Sequence, residues 1–153
     1  DMLIGFAAPS IQDYSTQGGK SIVINTFSSN NDVSNIAGVF PFDSLSSASG
    51  QAIFQTDSSL VATYNATAFP SMSPNSILLG MDPFYPTADA TVMFRGQLEA
   101  FGAWSGPDVM GAGRLNQNND LYQVFFTAPI YQFGTTAERE TLFNQILNDE
   151  FNH

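Results

Sequence analysis

The sequence predicts an α/β fold with a mostly parallel or mixed central sheet that is flanked by helices. Residues 121–131 form a dense apolar run that Pro129 interrupts, as expected of a strand buried on both faces. Beyond Gly134, apolar residues recur at helical spacing as far as Phe151. A buried strand followed by its covering helix is typical of α/β domains, in which ligands bind beyond the carboxyl ends of the strands. Residues 127–133 therefore occupy the expected position of a site.

The first 25 residues predict a compact βαβ unit. Residues 2–6 are a short apolar run, and Ser10 can cap a helix that continues through Tyr14. Gly18 and Gly19 would end that helix and lead into a β-branched strand at 21–25. Because strand, helix and strand follow so closely, the two strands are expected to be parallel.

The middle of the chain, residues 27–76, gives weaker signals. Residues 33–37 are compatible with one helical turn, and 40–42 form an extended apolar anchor around Pro41. Short strands are predicted at 51–55 and 60–64. The absence of charge runs and repeats favours a packed insertion over a linker.

Regular structure is predicted again from residue 76 onward. A strand at 76–79 and a rigid turn at 81–86 precede three strands at 90–98, 109–115 and 121–130, antiparallel or mixed. Residues 116–120 have the composition of a hairpin turn. Thr135 and Glu138 have the spacing of a capping box that begins the last helix, at 136–151. The apolar stripe of this helix comprises Leu142, Phe143, Ile146, Leu147 and Phe151.

Composition excludes several functional classes. The 153 residues amount to one domain and contain no cysteine, which excludes disulfides, thiolate metal sites and a cysteine nucleophile. A net charge of −10 disfavours nucleic acid and anionic membranes as partners, and no apolar stretch is long enough for membrane insertion. With only 12% charged residues, the chain is expected to be secreted, periplasmic or at the cell surface.

Two basic residues carry specific expectations. Lys20, the only lysine, is predicted to extend its ammonium group to the surface and to bind nothing. Arg114 lies within a predicted strand and is expected to pair with a carboxylate, with Asp108, Asp120 and Glu99 as the candidates.

The order of the elements resembles the glutamine amidotransferase-like domains of exported bacterial proteins, which are class I and flavodoxin-like. The resemblance covers most of the chain and rests on Gly18, Gly19 and Lys20 with their strand, on a Trp-Ser-Gly segment at 104–106, and on residues 125–131. It implies that the first strands of the family fold precede Asp1 and that the chain is the C-terminal part of a larger protein.

The same resemblance argues against amidotransferase activity. The resemblance places the family's nucleophilic cysteine in the turn at 25–28, at Thr26 or Phe27, and its His-Pro-Glu motif at 128–130, where Pro129 alone is kept. This chain has no cysteine, and its one histidine is the terminal His153. Glutaminase chemistry would therefore lack both nucleophile and base.

Other candidate sites are weaker. Asn116, Asn118 and Asp120 imitate part of a calcium loop, but the glycine and glutamate of that motif are replaced, so a plain turn is favoured and no metal or cofactor is expected. Aromatic residues in loops either form a platform for a sugar or a neighbouring domain, or complete the domain's own core, which is the favoured alternative. These residues are Phe84, Tyr85, Trp104, Tyr131 and Phe133.

The leading functional hypothesis is a non-catalytic binding or structural module with binding residues at Thr26, Ser28, Trp104 and Tyr131. Its expected partners are a neighbouring domain or N-terminal segment of the same protein, or else a carbohydrate or another protein. The alternative is a hydrolase whose catalytic groups lie partly in a missing N-terminal segment or in a second chain.

Overall fold

A computed structural model of the chain describes residues 13–14, 17–24, 37–46 and 50–151. Within these ranges residues 13–14 are helical, and the elements with described bounds are short strands followed by one short helix. The strands are β1 (Ser21–Ile24), β2 (Ser44–Leu45), β3 (Ala52–Phe54), β4 (Leu60–Ala62), β5 (Leu78–Met81), β6 (Phe84–Tyr85), β7 (Thr91–Gly96), β8 (Val109–Leu115) and β9 (Leu121–Phe126). A 3₁₀ turn (Ile130–Gln132), helix α1 (Thr136–Asn144) and a π-helical segment (Gln145–Glu150) follow.

Seven of the strands form one mixed sheet, so the predicted α/β class and mixed sheet are confirmed. β9 lies between β1 and β8, and β8 continues to β6 and β7, which pair with β2 and β4 respectively. Among the described strands, β1 and β9 make the one parallel pair, and the alternative of a mostly parallel sheet is wrong. The five-residue connection between β8 and β9 allows only an antiparallel pair, and the 12-residue connection between β7 and β8 contains no crossover helix.

β1 forms a parallel pair with β9, which was not predicted from the sequence. Ser21 to Ile24 align with Gln123 to Phe126 of β9, whereas residues 2–6 lie outside the described residues. The predicted helix end is confirmed, because Gly18 has a φ of 82° and the Gly19 N–H donates to Tyr14 O at 2.9 Å. Residues 33–36 also lie outside the described ranges.

The middle of the chain contains more strand than predicted. The strands expected at 51–55 and 60–64 appear as β3 and β4, and β3 pairs with β5 in a separate two-stranded sheet. The rigid turn predicted at 81–86 is wrong in part, since it contains β6, which pairs with both β2 and β8. Pro83 and Pro86 flank this two-residue strand, and proline so close on both sides indicates a turn and not a strand.

The β8–β9 connection is the predicted hairpin turn. The Asn116 side-chain oxygen accepts hydrogen bonds from the N–H groups of Asn118 at 2.8 Å and Asp120 at 3.0 Å. Asn119 adopts a φ of 66°, a conformation that asparagine tolerates better than most residues. In the described residues no group of three or more His, Asp or Glu side chains could hold a metal ion. The two hydrogen bonds show that the Asn116 side chain stabilises the turn.

The final helix begins where predicted and changes geometry before its end. Thr135 and Glu138 form the capping box, with Thr135 N–H donating to Glu138 Oε2 at 2.6 Å. Beyond Asn144 the helix widens to π geometry, in which each turn holds more residues. This shift explains why Leu147, predicted to be buried, is 39% exposed, while Leu142, Ile146 and Phe151 are buried.

Two hydrophobic clusters lie on opposite faces of β9. Val124 and Phe126 belong to the first cluster, which α1 and the π segment cover with Leu142 and Ile146. Phe125 belongs to the second cluster, with Phe40, Phe42, Phe84, Val109 and Ala112. The predicted alternation along this strand is confirmed as far as Phe126. Thr127 lies beyond the strand, and its hydroxyl contacts the Met110 sulfur at 3.7 Å, in the first cluster.

The two basic residues are both engaged. Lys20 Nζ donates to the carbonyl oxygen of Phe151, a contact within the protein, and that it binds no ligand stays a prediction. A cation at the end of a helix is favourable there, because the last carbonyl groups lack partners. Arg114 does pair with a carboxylate, but the partner is Asp89, with Nε and Oδ2 2.8 Å apart. Asp89 lies in the turn before β7, which the sequence did not place beside β8.

Candidate functional site

A cavity of about 420 Å³ lies where the parallel pair β1 and β9 ends and the final helix begins. It occupies the position expected of a site in an α/β sheet, beyond the carboxyl ends of parallel strands. Its lining residues come from β1, from the 3₁₀ turn and from one side of α1: Ile24, Ile130, Tyr131, Thr136, Arg139, Glu140, Phe143 and Asn144.

The loop after β9 sets the shape of the cavity. Pro129 ends the extended run, and the next three residues form the 3₁₀ turn, which Phe133 N–H closes by donating to Ile130 O at 3.0 Å. Ile130 is buried in the first cluster, whereas Tyr131 is 67% exposed. A single tight turn therefore anchors the loop and directs one aromatic ring outward beside the cavity.

The cavity has apolar walls. Ile24 ends β1 and is 41% exposed, and Phe143 of α1 packs partly against the first cluster. Ile130 lines the cavity and also belongs to the first cluster. An opening lined by a branched aliphatic side chain on one element and an aromatic ring on another is typical of pockets for small ligands.

The polar groups of the lining residues are largely bonded to the protein itself. Arg139 Nη1 donates to the carbonyl oxygens of Phe133 and Gly134, each at 2.7 Å. Its Nη2 donates to Thr136 Oγ1 at 3.2 Å, and Gln132 Nε2 donates to the Tyr131 hydroxyl at 3.1 Å. The hydrogen bonds of the Arg139 guanidinium group thus hold the loop between the 3₁₀ turn and α1 in place.

The carboxylate of Glu138, in the first turn of α1, also has a structural role. The backbone N–H of Thr135, and then its hydroxyl, hold the pKa of Glu138 below its usual range. At neutral pH this group is therefore an ionised helix cap and not a proton donor.

The other displaced pKa values belong to groups away from the cavity. Burial, and then the carboxylate of Glu150, raise the pKa of Tyr64 to about 12. Glu150 is 5% exposed, and it accepts hydrogen bonds from the Tyr64 hydroxyl at 3.1 Å and from the Thr67 hydroxyl. These bonds fasten the end of the π segment to the chain after β4, so Glu150 has a structural role.

The structure describes two of the four residues predicted as binding residues, and of these two only Tyr131 lines the cavity. Thr26 and Ser28 lie outside the described residues. Trp104 does not line the cavity. Its Nε1 donates to Pro107 O at 2.8 Å, and its ring covers Gly106 of the same loop. A Cβ atom added at Gly106 would lie 2.4 Å from that ring.

Two of the five loop aromatics cannot belong to an aromatic platform, which was the less favoured alternative. Phe84 is buried in the second cluster and Phe133 in the first, on the opposite face of the sheet. Phe133 makes an edge contact with Phe54, with 4.9 Å between ring centroids. The alternative that loop aromatics complete the core is confirmed for these two residues.

Sequence reasoning missed Ile24, Arg139 and Phe143 as site residues. Ile24 was treated as an interior strand residue, and Phe143 as part of the helix stripe. The signal that could have found Ile24 is its position at the carboxyl end of a strand, which is the same signal that selected residues 127–133.

Comparisons with protein-family models, with curated proteins and with solved structures found no match for this chain. Within the described ranges, no helix has the length and apolar character required to cross a membrane.

Proposed function

We propose that this chain is a non-catalytic binding module whose ligand site is the cavity at the end of β1 and β9. The observation that carries the proposal is the chemistry of the lining: apolar walls, with an arginine and a tyrosine already bonded to neighbouring protein groups. A hydrolytic site needs a nucleophile within reach of a base. In the described lining, the Thr136 hydroxyl is bonded to Arg139 Nη2 and the Tyr131 hydroxyl to Gln132 Nε2, and neither partner is a base.

We further propose that the module belongs to an exported or cell-surface protein and has an amidotransferase-like, flavodoxin-like ancestry. The low content of charged residues supports the first part. The position of the cavity, next to the loop that resembles the family's His-Pro-Glu strand end, supports the second. In that family the same loop carries catalytic residues, and here Tyr131 and its neighbours provide a binding surface instead.

The test is to incubate the purified chain with glutamine, ester and peptide substrates and to measure product release. We expect no turnover in the wild type or in Tyr131→Phe, Glu140→Gln, Thr26→Ala and Ser28→Ala. Tyr131 and Glu140 are exposed, so these two variants should fold normally. Turnover that any one substitution abolishes would contradict the proposal and favour the hydrolase whose remaining groups lie elsewhere.

A further inference from the structure

We infer that the cavity binds a small, neutral, apolar molecule, such as an aromatic or branched aliphatic compound, and not a sugar or an anion. This inference rests on the proposed binding function and specifies its ligand. The volume of about 420 Å³ falls within the range of roughly 300–1,000 Å³ that small-molecule sites occupy.

The first argument is the hydrogen bonding of the polar side chains. Both N–H groups of Arg139 Nη1 donate to loop carbonyls, and Nη2 donates to Thr136. The Tyr131 hydroxyl accepts from Gln132. A saccharide requires several unbonded donors and acceptors to replace its water, because a buried polar group without a partner is costly. The lining also includes Glu140 and Asn144, but the surface that the cavity presents is almost entirely apolar, so it offers few such groups.

The second argument is electrostatic. Arg139 is the one cation of the lining, and its guanidinium is held against the loop carbonyls, while the carboxylate of Glu140 is exposed at the cavity. The protein carries a net charge of −10. An anionic ligand would therefore find the Arg139 guanidinium already bonded to the protein and would be repelled by the Glu140 carboxylate. The negative net charge of the protein adds to that repulsion.

The probes that test this inference are phenylnaphthylamine, which is neutral, and anilinonaphthalene sulfonate, which adds a sulfonate to the same aromatic scaffold. Fluorescence titration of the purified chain should show saturable binding of the neutral probe. We expect the sulfonate to weaken binding at least about tenfold, since it must be buried without a free partner. Glucose should not displace the neutral probe.

A matched pair of variants locates the site. Ile24→Asp places a carboxylate at the cavity, and Ile77→Asp makes the same change at an isoleucine outside it; the two side chains are 41% and 55% exposed. We expect Ile24→Asp to weaken the neutral probe at least about tenfold and Ile77→Asp to leave it unchanged. Should Ile24→Asp fail to fold, Asn144→Trp, which fills the cavity from an exposed position, replaces it.

Each contrary result overturns a defined claim. Equal or tighter binding of the sulfonate probe, or displacement by glucose, would overturn the neutral apolar ligand class. No saturable binding, or equal loss in the two aspartate variants, would overturn the cavity as its site. These outcomes are independent of product release, so they are distinguishable from failure of the non-catalytic proposal.

Discussion

The two faces of β9 are covered in different ways. On one face, α1 and the π segment place Leu142 and Ile146 against Phe126. On the other, Phe40 and Phe42 come from a stretch of the chain without regular structure and pack against Phe125, with the rings of Phe40 and Phe125 stacked at 5.3 Å. The comparison shows that an irregular segment can bury a sheet face as fully as a helix, provided that it supplies large rings.

An irregular cover still needs its backbone groups bonded, and Arg114 provides those bonds. Its guanidinium donates to the carbonyl oxygens of Val39 at 2.9 Å and Gly38 at 3.0 Å, and to Gln123 Oε1 at 2.9 Å. Gln123 in turn donates to Val39 O at 3.0 Å. The helical cover satisfies its own backbone and needs only end contacts, such as those of Glu150 and Lys20.

The largest expected effects test whether the two covers are equally strong. Phe125→Ala and Phe126→Ala each remove a fully buried ring from neighbouring positions on opposite faces. Each should lower the free energy of unfolding by about 3–5 kcal/mol, measured by urea denaturation. A loss below about 1 kcal/mol for Phe125→Ala alone would show that the irregular cover packs only loosely.

An intermediate effect is expected from Arg114→Lys. Lysine keeps the charge but cannot reach Asp89, Val39 and Gln123 at once, so the variant should lose about 1–3 kcal/mol of stability. Arg95→Lys is the matched control, because its salt bridge to Asp108 has both side chains 45% exposed. That change should cost less than about 0.5 kcal/mol. If thermal denaturation shows the same loss of stability for Arg114→Lys and Arg95→Lys, the claim that the Arg114 contacts stabilise the fold more than an exposed salt bridge is wrong.

The smallest effect is a dependence on pH. The Thr87 hydroxyl, and after it the Arg114 guanidinium, hold the pKa of Asp89 below its usual range. Because the folded pKa is the lower one, the stabilisation is present above the unfolded pKa of about 4 and is lost as pH falls through the folded value. The Asp89 side chain is 63% exposed, so the contribution should stay below about 1 kcal/mol.

The measurement is the free energy of unfolding of the wild type and of Asp89→Asn at several pH values in the acid range. The stability difference between the two proteins should shrink toward acid pH. A difference that is constant or grows there would contradict the assignment.

Sequence patterns predicted the elements whose periodicity is regular. The β8–β9 hairpin, the alternation of Val124, Phe125 and Phe126, and the capping box at Thr135 all follow from local chemistry that the structure retains. The pairing of β1 with β9 was not predictable, because parallel pairing depends on which distant strand is available and not on any local pattern. The π segment similarly leaves no mark in the hydrophobic spacing, and Leu147 was misplaced as a result.

The candidate site was predictable in position but not in composition. The rule that ligands bind beyond the carboxyl ends of strands selected residues 127–133, and Tyr131 does line the cavity. Trp104 was a poor candidate for a reason that only geometry gives: its ring closes on Gly106 and Pro107 of its own loop. Arg139 was missed because a helix arginine near the amino end has no pattern that indicates a bond back to the preceding loop.

The parallel pairing of β1 with β9 also governs the order in which the molecule can assemble. Roughly a hundred residues separate Ser21 from Gln123, and closing a chain loop of that length costs about 4 kcal/mol in entropy. The connections between β7, β8 and β9 are 12 and 5 residues long, and closing them costs less, about 2.2 and 1.4 kcal/mol. On the ribosome, β1 emerges early and must wait for nearly the whole chain to be synthesised before its partner exists. The first described strand of the sequence is thus among the last to gain its place in the sheet.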